Sequence, residues 1–181
     1  TKQVSKEKRN NKQIRIAKGR SIGRFSFLEN FYCEFGPNTI KGGTNDINKL
    51  GVKEKVLLRK TGFPIIATFD DSGMYPEQSL YFLINNKTNN SLKYFTALIN
   101  SKLFPFVYIN KLVTNKDSTP QLKKVDLDKF PVFVCDLKNK DEKAKHDEIV
   151  KQIDLLLKLN DELNKAKLPD KIEQLKNRIE H

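Results

Sequence analysis

The stretch KVLLRKTGFPIIATF, residues 55–69, contains two apolar runs on either side of a short polar segment, and it is the clearest structural pattern in the chain. Runs of this length, rich in β-branched residues, are typical of strands, and residues 60–63 between them predict the turn of a β-hairpin. After a second turn at residues 70–73, the run at 79–84 predicts a third strand. We therefore expect an antiparallel sheet at the centre of the chain.

Further elements are predicted on both sides of this sheet. Alternation at residues 13–17 predicts a short strand, and residues 18–25 read as a loop or turn. An apolar period of three and four at residues 92–99 predicts a helix capped by Asn90 or Ser91. The aromatic segment around Pro105 predicts a second helix. Helical spacing favours core packing over base stacking for four aromatic residues, Phe95, Phe104, Phe106 and Tyr108. Residues 130–134 predict a last short strand, on which Pro131 requires an edge or first position.

The last 41 residues have a different composition from the rest of the chain. Ile149, Ile153, Leu156 and Leu163 recur at spacings of three, four or seven, which predicts a helix of about six turns starting near residue 141. Pro169 suits the first position of another helix. We expect this second helix to fold back on the first, or a second copy to cover the apolar stripe. His146 is expected to be solvated.

Length and composition suggest one domain with an appendage. The 181 residues divide into a linker or frayed end at 1–12, an α+β domain at 13–140 with a mixed, antiparallel-rich sheet, and a helical pair at 141–181. No apolar run approaches the ~20 residues of a membrane span. Because the chain starts without Met, we expect a piece of a larger soluble protein.

Charge is distributed unevenly along the chain. Lys and Arg total 34 against 22 acids, a formal charge of +12, and the part before residue 141 holds 25 of these bases but only 12 acids. Such an excess predicts a polyanionic partner, either nucleic acid or an anionic membrane surface. The two cysteines are far apart, which indicates neither a disulfide framework nor a thiolate metal site, so a reducing cytoplasm is the default.

Residue counts argue against several kinds of catalysis. Two histidines, His146 and His181, cannot supply an HExxH zinc site or a histidine-based triad from within this chain. No glycine-rich phosphate loop follows a predicted strand. We therefore expect no catalytic residues, no metal and no cofactor in this part of the protein.

Basic side chains on predicted turns and strand ends are the candidate contacts to DNA. Guanidinium groups pair bidentately with guanine edges or phosphates, and lysines act as point charges along the backbone. We expect Arg20 and Arg24 to contact mainly phosphates, whereas Arg59 is left open between DNA and an internal partner. Asp70 and Asp71 are predicted as turn residues. The predicted DNA-binding residues are Arg20, Arg24, Arg59, Lys60, Lys102, Lys111, Lys123 and Lys124.

Three segments in order carry a resemblance to a known family. GRSIGRF at residues 19–25 is similar to a Gly-Arg-x-Ile-x-Arg-aromatic turn, the strand pair at 55–68 follows it, and LINSK at 98–102 resembles a helix end rich in Leu, Asn, Ser and Lys. Together they resemble the TaqI-like C-terminal specificity domain of type II and type IIG adenine-specific DNA methyltransferases and restriction-modification enzymes. The resemblance extends from about residue 18 into the tail.

The resemblance implies a target-recognition domain that grips duplex DNA. A separate methylase domain of the same parent chain would bind S-adenosylmethionine and flip the adenine. The parent would be a site-specific adenine methyltransferase, with or without endonuclease activity. Two alternatives stay open: the specificity half of a type I restriction system, and a non-catalytic scaffold that binds proteins through its C-terminal helices. An RNA-binding module lacks support, since no RNP-like strand or GxxG clamp occurs.

Overall fold

The predicted hairpin forms two strands of a three-stranded sheet at the centre of the computed structural model. The structure describes residues 4–36, 44–84, 87–112 and 121–180. The strands are β1 Val4–Ser5, β2 Gln13–Ala17, β3 Ile22–Gly23, β4 Ser26–Phe27, β5 Phe31–Glu34, β6 Lys55–Arg59, β7 Ala67–Asp70, β8 Tyr75–Pro76 and β9 Leu80–Leu83. The helices are α1 Ile47–Leu50, α2 Leu92–Asn100, α3 Leu103–Val107, α4 Lys124–Leu127, α5 Lys140–Lys165 and α6 Pro169–Glu180, with a 3-10 turn at Gly19–Ser21 and a π turn at Tyr108–Leu112.

The three-stranded sheet has the order β7-β6-β9, and both pairings are antiparallel. Leu57 lies opposite Thr68 on one side and Phe82 on the other. Residues 56–58 are fully buried because β6 is central and both of its faces are covered. The hairpin and the third strand predicted from sequence are therefore confirmed.

A second sheet of four short strands has the order β1-β5-β2-β8 and combines antiparallel pairs with one parallel pair. Residues 1–12 were expected to be a linker or frayed end, but Val4 and Ser5 pair with Cys33 and Tyr32. That expectation is wrong at these two residues, because a paired strand edge satisfies their backbone groups. With mixed sheets and six described helices, the α+β class is confirmed.

Helix α2 begins at the predicted cap. The Ser91 side chain accepts a hydrogen bond from the Lys93 N–H, which satisfies one free donor of the first turn. The Ser91 N–H itself donates to Nε2 of His146 on α5 at 3.0 Å. The expectation of a solvated His146 is therefore wrong: its ring is buried, and it joins the start of α2 to α5.

Residues 131–136 run past α2 without forming a strand, so the strand predicted at 130–134 is wrong. Side chains bond this backbone in place of a sheet neighbour. The Asn90 carboxamide donates to the Cys135 carbonyl and accepts from the Cys135 N–H, and the Tyr94 hydroxyl donates to the Phe133 carbonyl. Because these groups are satisfied by side chains, no partner strand is required here.

The two predicted C-terminal helices are present. Helix α5 has 26 residues, about seven turns, and Asn139 caps it by accepting from the N–H groups of residues 141 and 142. Helix α6 begins at Pro169 as predicted and packs back on α5, with Leu159 and Leu175 buried. The expected fold-back is therefore confirmed.

An ion pair with no solvent exposure joins the first residue of β6 to the last residue of β7. Nζ of Lys55 lies 3.2 Å from Asp70 Oδ2 and also donates to the carbonyls of Leu50 and Val52. Asp70 accepts from the N–H groups of Ser72 and Met74, so its predicted turn role is correct. Burial lowers the pKa of Lys55, and the neighbouring carboxylate opposes that shift.

Replacing Asp70 with Ala should destabilise the protein strongly, because it leaves the Lys55 ammonium buried without its counter-charge. Removal of one partner of a buried pair typically costs about 3–5 kcal/mol. Urea unfolding measures the effect. The matched control is Asp161→Asn, which breaks an exposed pair with Lys165 and should leave the free energy of unfolding nearly unchanged. Equal stability of the two variants would contradict this account.

Candidate nucleic-acid interface

The segment of residues 18–24, here called the basic turn, is closed by the buried hydroxyl of Ser21. The Lys18 N–H donates to Ser21 Oγ at 2.7 Å, and the same hydroxyl donates to the Lys18 carbonyl at 2.8 Å. The Leu28 N–H donates to the Ser21 carbonyl at 2.8 Å. These bonds fix the short 3-10 turn that carries Arg20, whose side chain is exposed.

Two bonds attach the basic turn to the three-stranded sheet. The Gly19 N–H donates to Ser79 Oγ at 2.8 Å, and the Arg59 guanidinium donates to the Ile22 carbonyl. Arg59 is half-buried, its Nε has no partner among the described residues, and burial lowers its pKa. In the structure Arg59 therefore has an internal partner.

The end of α2 holds the far side of the basic turn. The Asn100 carboxamide accepts from the Ala67 N–H at 3.0 Å and donates to the Ala67 carbonyl at 2.8 Å. That carbonyl also accepts from the Phe25 N–H at 3.2 Å. The Arg24 guanidinium donates to the Asn100 carbonyl at 3.0 Å. The Asn of the LINSK segment thus links α2, the edge strand β7 and the residues after the turn.

Gly23 lies close to the side chains of Ser26 on β4 and of Leu28, so a larger residue would force the Ser26 hydroxyl to rotate away. A Cβ atom at this position would lie 2.4 Å from Ser26 Oγ and 3.3 Å from Leu28. The Ile of the same segment, Ile22, is fully buried against Leu57 and Leu80. The GRSIGRF pattern therefore combines buried anchors with exposed arginines at positions 20 and 24.

Lys60 lies beside the basic turn at the same edge of the sheet. Its N–H donates to the Ser79 carbonyl at 3.1 Å, and its ammonium lies 4.6 Å from the centre of the Tyr81 ring. The Lys60 carbonyl accepts from the Leu122 N–H at 2.7 Å, which places exposed Lys123 next to it. The structure thus brings Arg20, Lys60 and Lys123 to one edge.

The remaining predicted lysines lie around α3 and α4. Lys102 is exposed just before α3, two residues after the carbonyl that Arg24 contacts. Lys111 is exposed at the end of the π turn, and Lys124 is paired with Asp128 on α4. Residues 113–120, part of the basic loop between Lys111 and Lys123, lie outside the described residues.

Lys102 lies between Ser101 and Leu103, two residues that line an apolar groove between α2, α3 and residues 130–133. The groove has a volume of about 600 Å³ and includes Phe95, Ile99, Phe104, Val107 and Phe130 in its lining. Phe95, Phe104 and Tyr108 are core residues as expected, and Phe104 stacks on Phe130. Phe106 was also expected in the core, but it is 64% exposed. It lies on the exposed side of α3, a helix of only five residues whose buried side chains are Phe104 and Val107.

A protein-family model described as the TaqI-like C-terminal specificity domain matches residues 14–132 of the chain. The chain belongs to this family. The matched residues include the basic turn, the three-stranded sheet and helices α2, α3 and α4. No curated protein matches the sequence.

Membership associates the chain with DNA target recognition in restriction-modification, and it marks a specificity domain rather than a catalytic one. Among the described residues, no helix combines the length and apolar character needed to cross a membrane. The family match thus agrees with the polyanionic partner inferred from charge.

Three structural residues of the site, Ser21, Ser79 and Asn100, were not predicted from sequence. Each is a small polar residue that bonds backbone far along the chain or within a tight turn. Of these three, Asn100 could have been noticed in the sequence, because an amide side chain in the last turn of an apolar helix indicates a hydrogen bond to a backbone group.

Asn100→Ala should remove the pairing with Ala67 and release the basic turn. Each buried backbone group left without a partner costs about 1–3 kcal/mol, so thermal unfolding should shift to clearly lower temperature. The control is Asn110→Ala, an exposed residue whose side chain donates to the Phe106 carbonyl. If the two variants melt at the same temperature, Asn100 does not hold the site together.

Proposed function

We propose that this chain recognises a specific sequence of double-stranded DNA for a restriction-modification adenine methyltransferase. Residues 13–140 would contact the duplex and residues 141–181 would support them as a helical pair. The observation that carries the proposal is the family match combined with exposed basic side chains on a turn fixed to the sheet. A rigid element can aim a guanidinium with the accuracy that recognition requires.

The proposed DNA-contacting surface consists of Arg20, Lys60 and Lys123 at one edge, together with Arg24 on the other side of the basic turn, next to the end of α2. Arg20 makes no hydrogen bond to another described residue, and Arg24 uses a single donor on Asn100. Both therefore retain free guanidinium donors for phosphate oxygens. Arg59 contributes indirectly, by holding Ile22 in place.

Lys102, Lys111 and Lys124 are proposed as outer backbone contacts. None of them is part of the basic turn, and Lys124 is already paired with Asp128, so their part in DNA affinity should be smaller than that of the arginines. Contacts to phosphate orient a protein on the duplex without reading sequence. Base reading is left to side chains on the loops around this edge.

The methylase domain is the second proposed partner. It would bind S-adenosylmethionine and extrude the adenine, while this chain supplies neither cofactor nor catalytic group. The exposed side chains of Leu103, Phe106 and Phe133 border the apolar groove, and apolar surface of this kind favours a protein neighbour over DNA. Lys129, between the groove-lining residues Asp128 and Phe130, would suit an acidic side chain on that neighbour.

Arg24→Ala should weaken binding of the chain to duplex DNA by a similar factor for every sequence, as expected for a lost phosphate contact. Fluorescence anisotropy with two unrelated duplexes, each over a series of salt concentrations, measures the affinities. The slope of log affinity against log salt should fall by about 0.9.

The matched control is Arg178→Ala on α6, which removes an exposed arginine from the charge-balanced tail. It should leave both affinity and salt slope unchanged. An Arg24→Ala variant with normal affinity, or an equal loss in the control, would show that the basic turn is not the DNA surface.

A further inference from the structure

Phe31 on β5 lies beneath two cations that the basic turn supplies. Nζ of Lys18 is 5.1 Å and Cζ of Arg20 is 4.7 Å from the centre of its ring. The ring is only 2% exposed, because the sheet and these side chains surround it. Cations at such distances from an aromatic ring are attracted by its quadrupole. One ring thus orients two positive charges.

Because each charge lies about 5 Å from the same ring centre, the two are at most about 10 Å apart. At this separation like charges still repel at 0.1 M salt. Neither side chain forms an ion pair or donates a side-chain hydrogen bond within the parts of the chain that the structure describes. Glu77, whose carboxylate accepts from the Ser79 hydroxyl, forms no ion pair with either cation in the described residues. The pair of cations therefore has free donors and no anion.

Arg20 differs in this respect from the other two arginines of the site. Arg24 donates to the Asn100 carbonyl and Arg59 to the Ile22 carbonyl. Arg20 is oriented by the face of Phe31, which takes none of its N–H groups. A guanidinium held in this way keeps its whole donor edge for a ligand.

The backbone beneath the two cations is fixed at several points. The Ser21 hydroxyl bonds both backbone groups of Lys18, and the Gly19 N–H is bonded to Ser79. A Cβ at position 19 would lie 3.4 Å from Ser79 Oγ, an ordinary van der Waals distance, so the turn lies in contact with residue 79. Ordering the turn is therefore not a free-energy cost that a ligand has to meet.

We propose that Lys18 and Arg20, oriented by Phe31, form a clamp for a single backbone phosphate of duplex DNA. The inference rests on the proposed function and adds to it two residues, Lys18 and Phe31, and the sharing of one phosphate by two cations. The two cations offer a point charge and a bidentate donor edge, which together match a phosphodiester. Phe31 is a positioning residue, because it acts only through the two cations.

The test measures the affinity of the full chain for two unrelated duplexes of equal length over a salt series. Lys18→Ala and Arg20→Ala should each weaken binding several-fold on both duplexes. If both contact the same phosphate, the double variant should lower the log-log salt slope by about 0.9, not by twice that amount. The control is the double variant Lys171→Ala, Arg178→Ala on α6, with the slope of the unaltered chain expected.

Phe31→Leu keeps an apolar side chain but removes the ring. It should reduce the affinity for duplex DNA several-fold. In the Phe31→Leu background, Lys18→Ala and Arg20→Ala should each cause a smaller further loss of affinity than they do in the unaltered chain. Circular dichroism melts confirm that each variant is folded at the assay temperature. A folded Phe31→Leu variant with unchanged affinity would remove the positioning role of the ring.

The failures of the clamp and of the proposed function are distinguishable. Absence of binding by the unaltered chain at low salt would contradict DNA recognition itself, and the phosphate ligand with it. If the unaltered chain binds DNA and the Lys18→Ala, Arg20→Ala double variant has the same affinity and the same salt slope, the clamp alone is overturned. A slope that falls by about 1.8 would show two separate phosphate contacts and would also overturn the single-phosphate clamp.

Discussion

The carboxamide of Asn100 pairs with the N–H and the C=O of Ala67, and the placement of the basic turn depends on this pairing. Ala67 starts β7, an edge strand, where backbone groups would otherwise lack a partner. By completing that edge, Asn100 fixes the end of α2 against the sheet. The backbone carbonyl of Asn100 then holds Arg24, while the Ala67 carbonyl holds the Phe25 N–H. One buried amide therefore connects helix, sheet and turn.

The other constraints of the fold support the same edge. Lys55 and Asp70 fix β6 and the turn after β7, and His146 with Asn90 fixes α5 and the residues after 130 to the start of α2. Most of these bonds are made by buried polar side chains to backbone, where a missing partner would be expensive. Arg20 makes none of these hydrogen bonds, which leaves its guanidinium available for a ligand.

Sequence analysis predicted the strong local patterns correctly. The hairpin at 55–69, the Ser91 cap and the two C-terminal helices follow from period and turn chemistry, which act over a few residues. The strand predicted at 130–134 failed because Asn90 and Tyr94 bond that backbone, and His146 was misplaced because its partner is 55 residues away. The family resemblance identified the basic turn. The structure adds that Arg59 is bonded internally and that Lys102 borders an apolar groove. It also shows the Phe31 ring in contact with Lys18 and Arg20, residues that are distant from it in sequence.

A pre-formed basic turn is the proposed DNA-contacting element. Amide hydrogen exchange of the chain, measured with and without duplex DNA, tests this role. We expect the amides of Gly19, Ser21 and Leu28 to exchange slowly in the free chain, because each is hydrogen-bonded. Duplex DNA should slow exchange further in residues 18–25 and leave α6 unchanged. Fast exchange of these amides in the free chain, or DNA-dependent protection confined to α5 and α6, would contradict it.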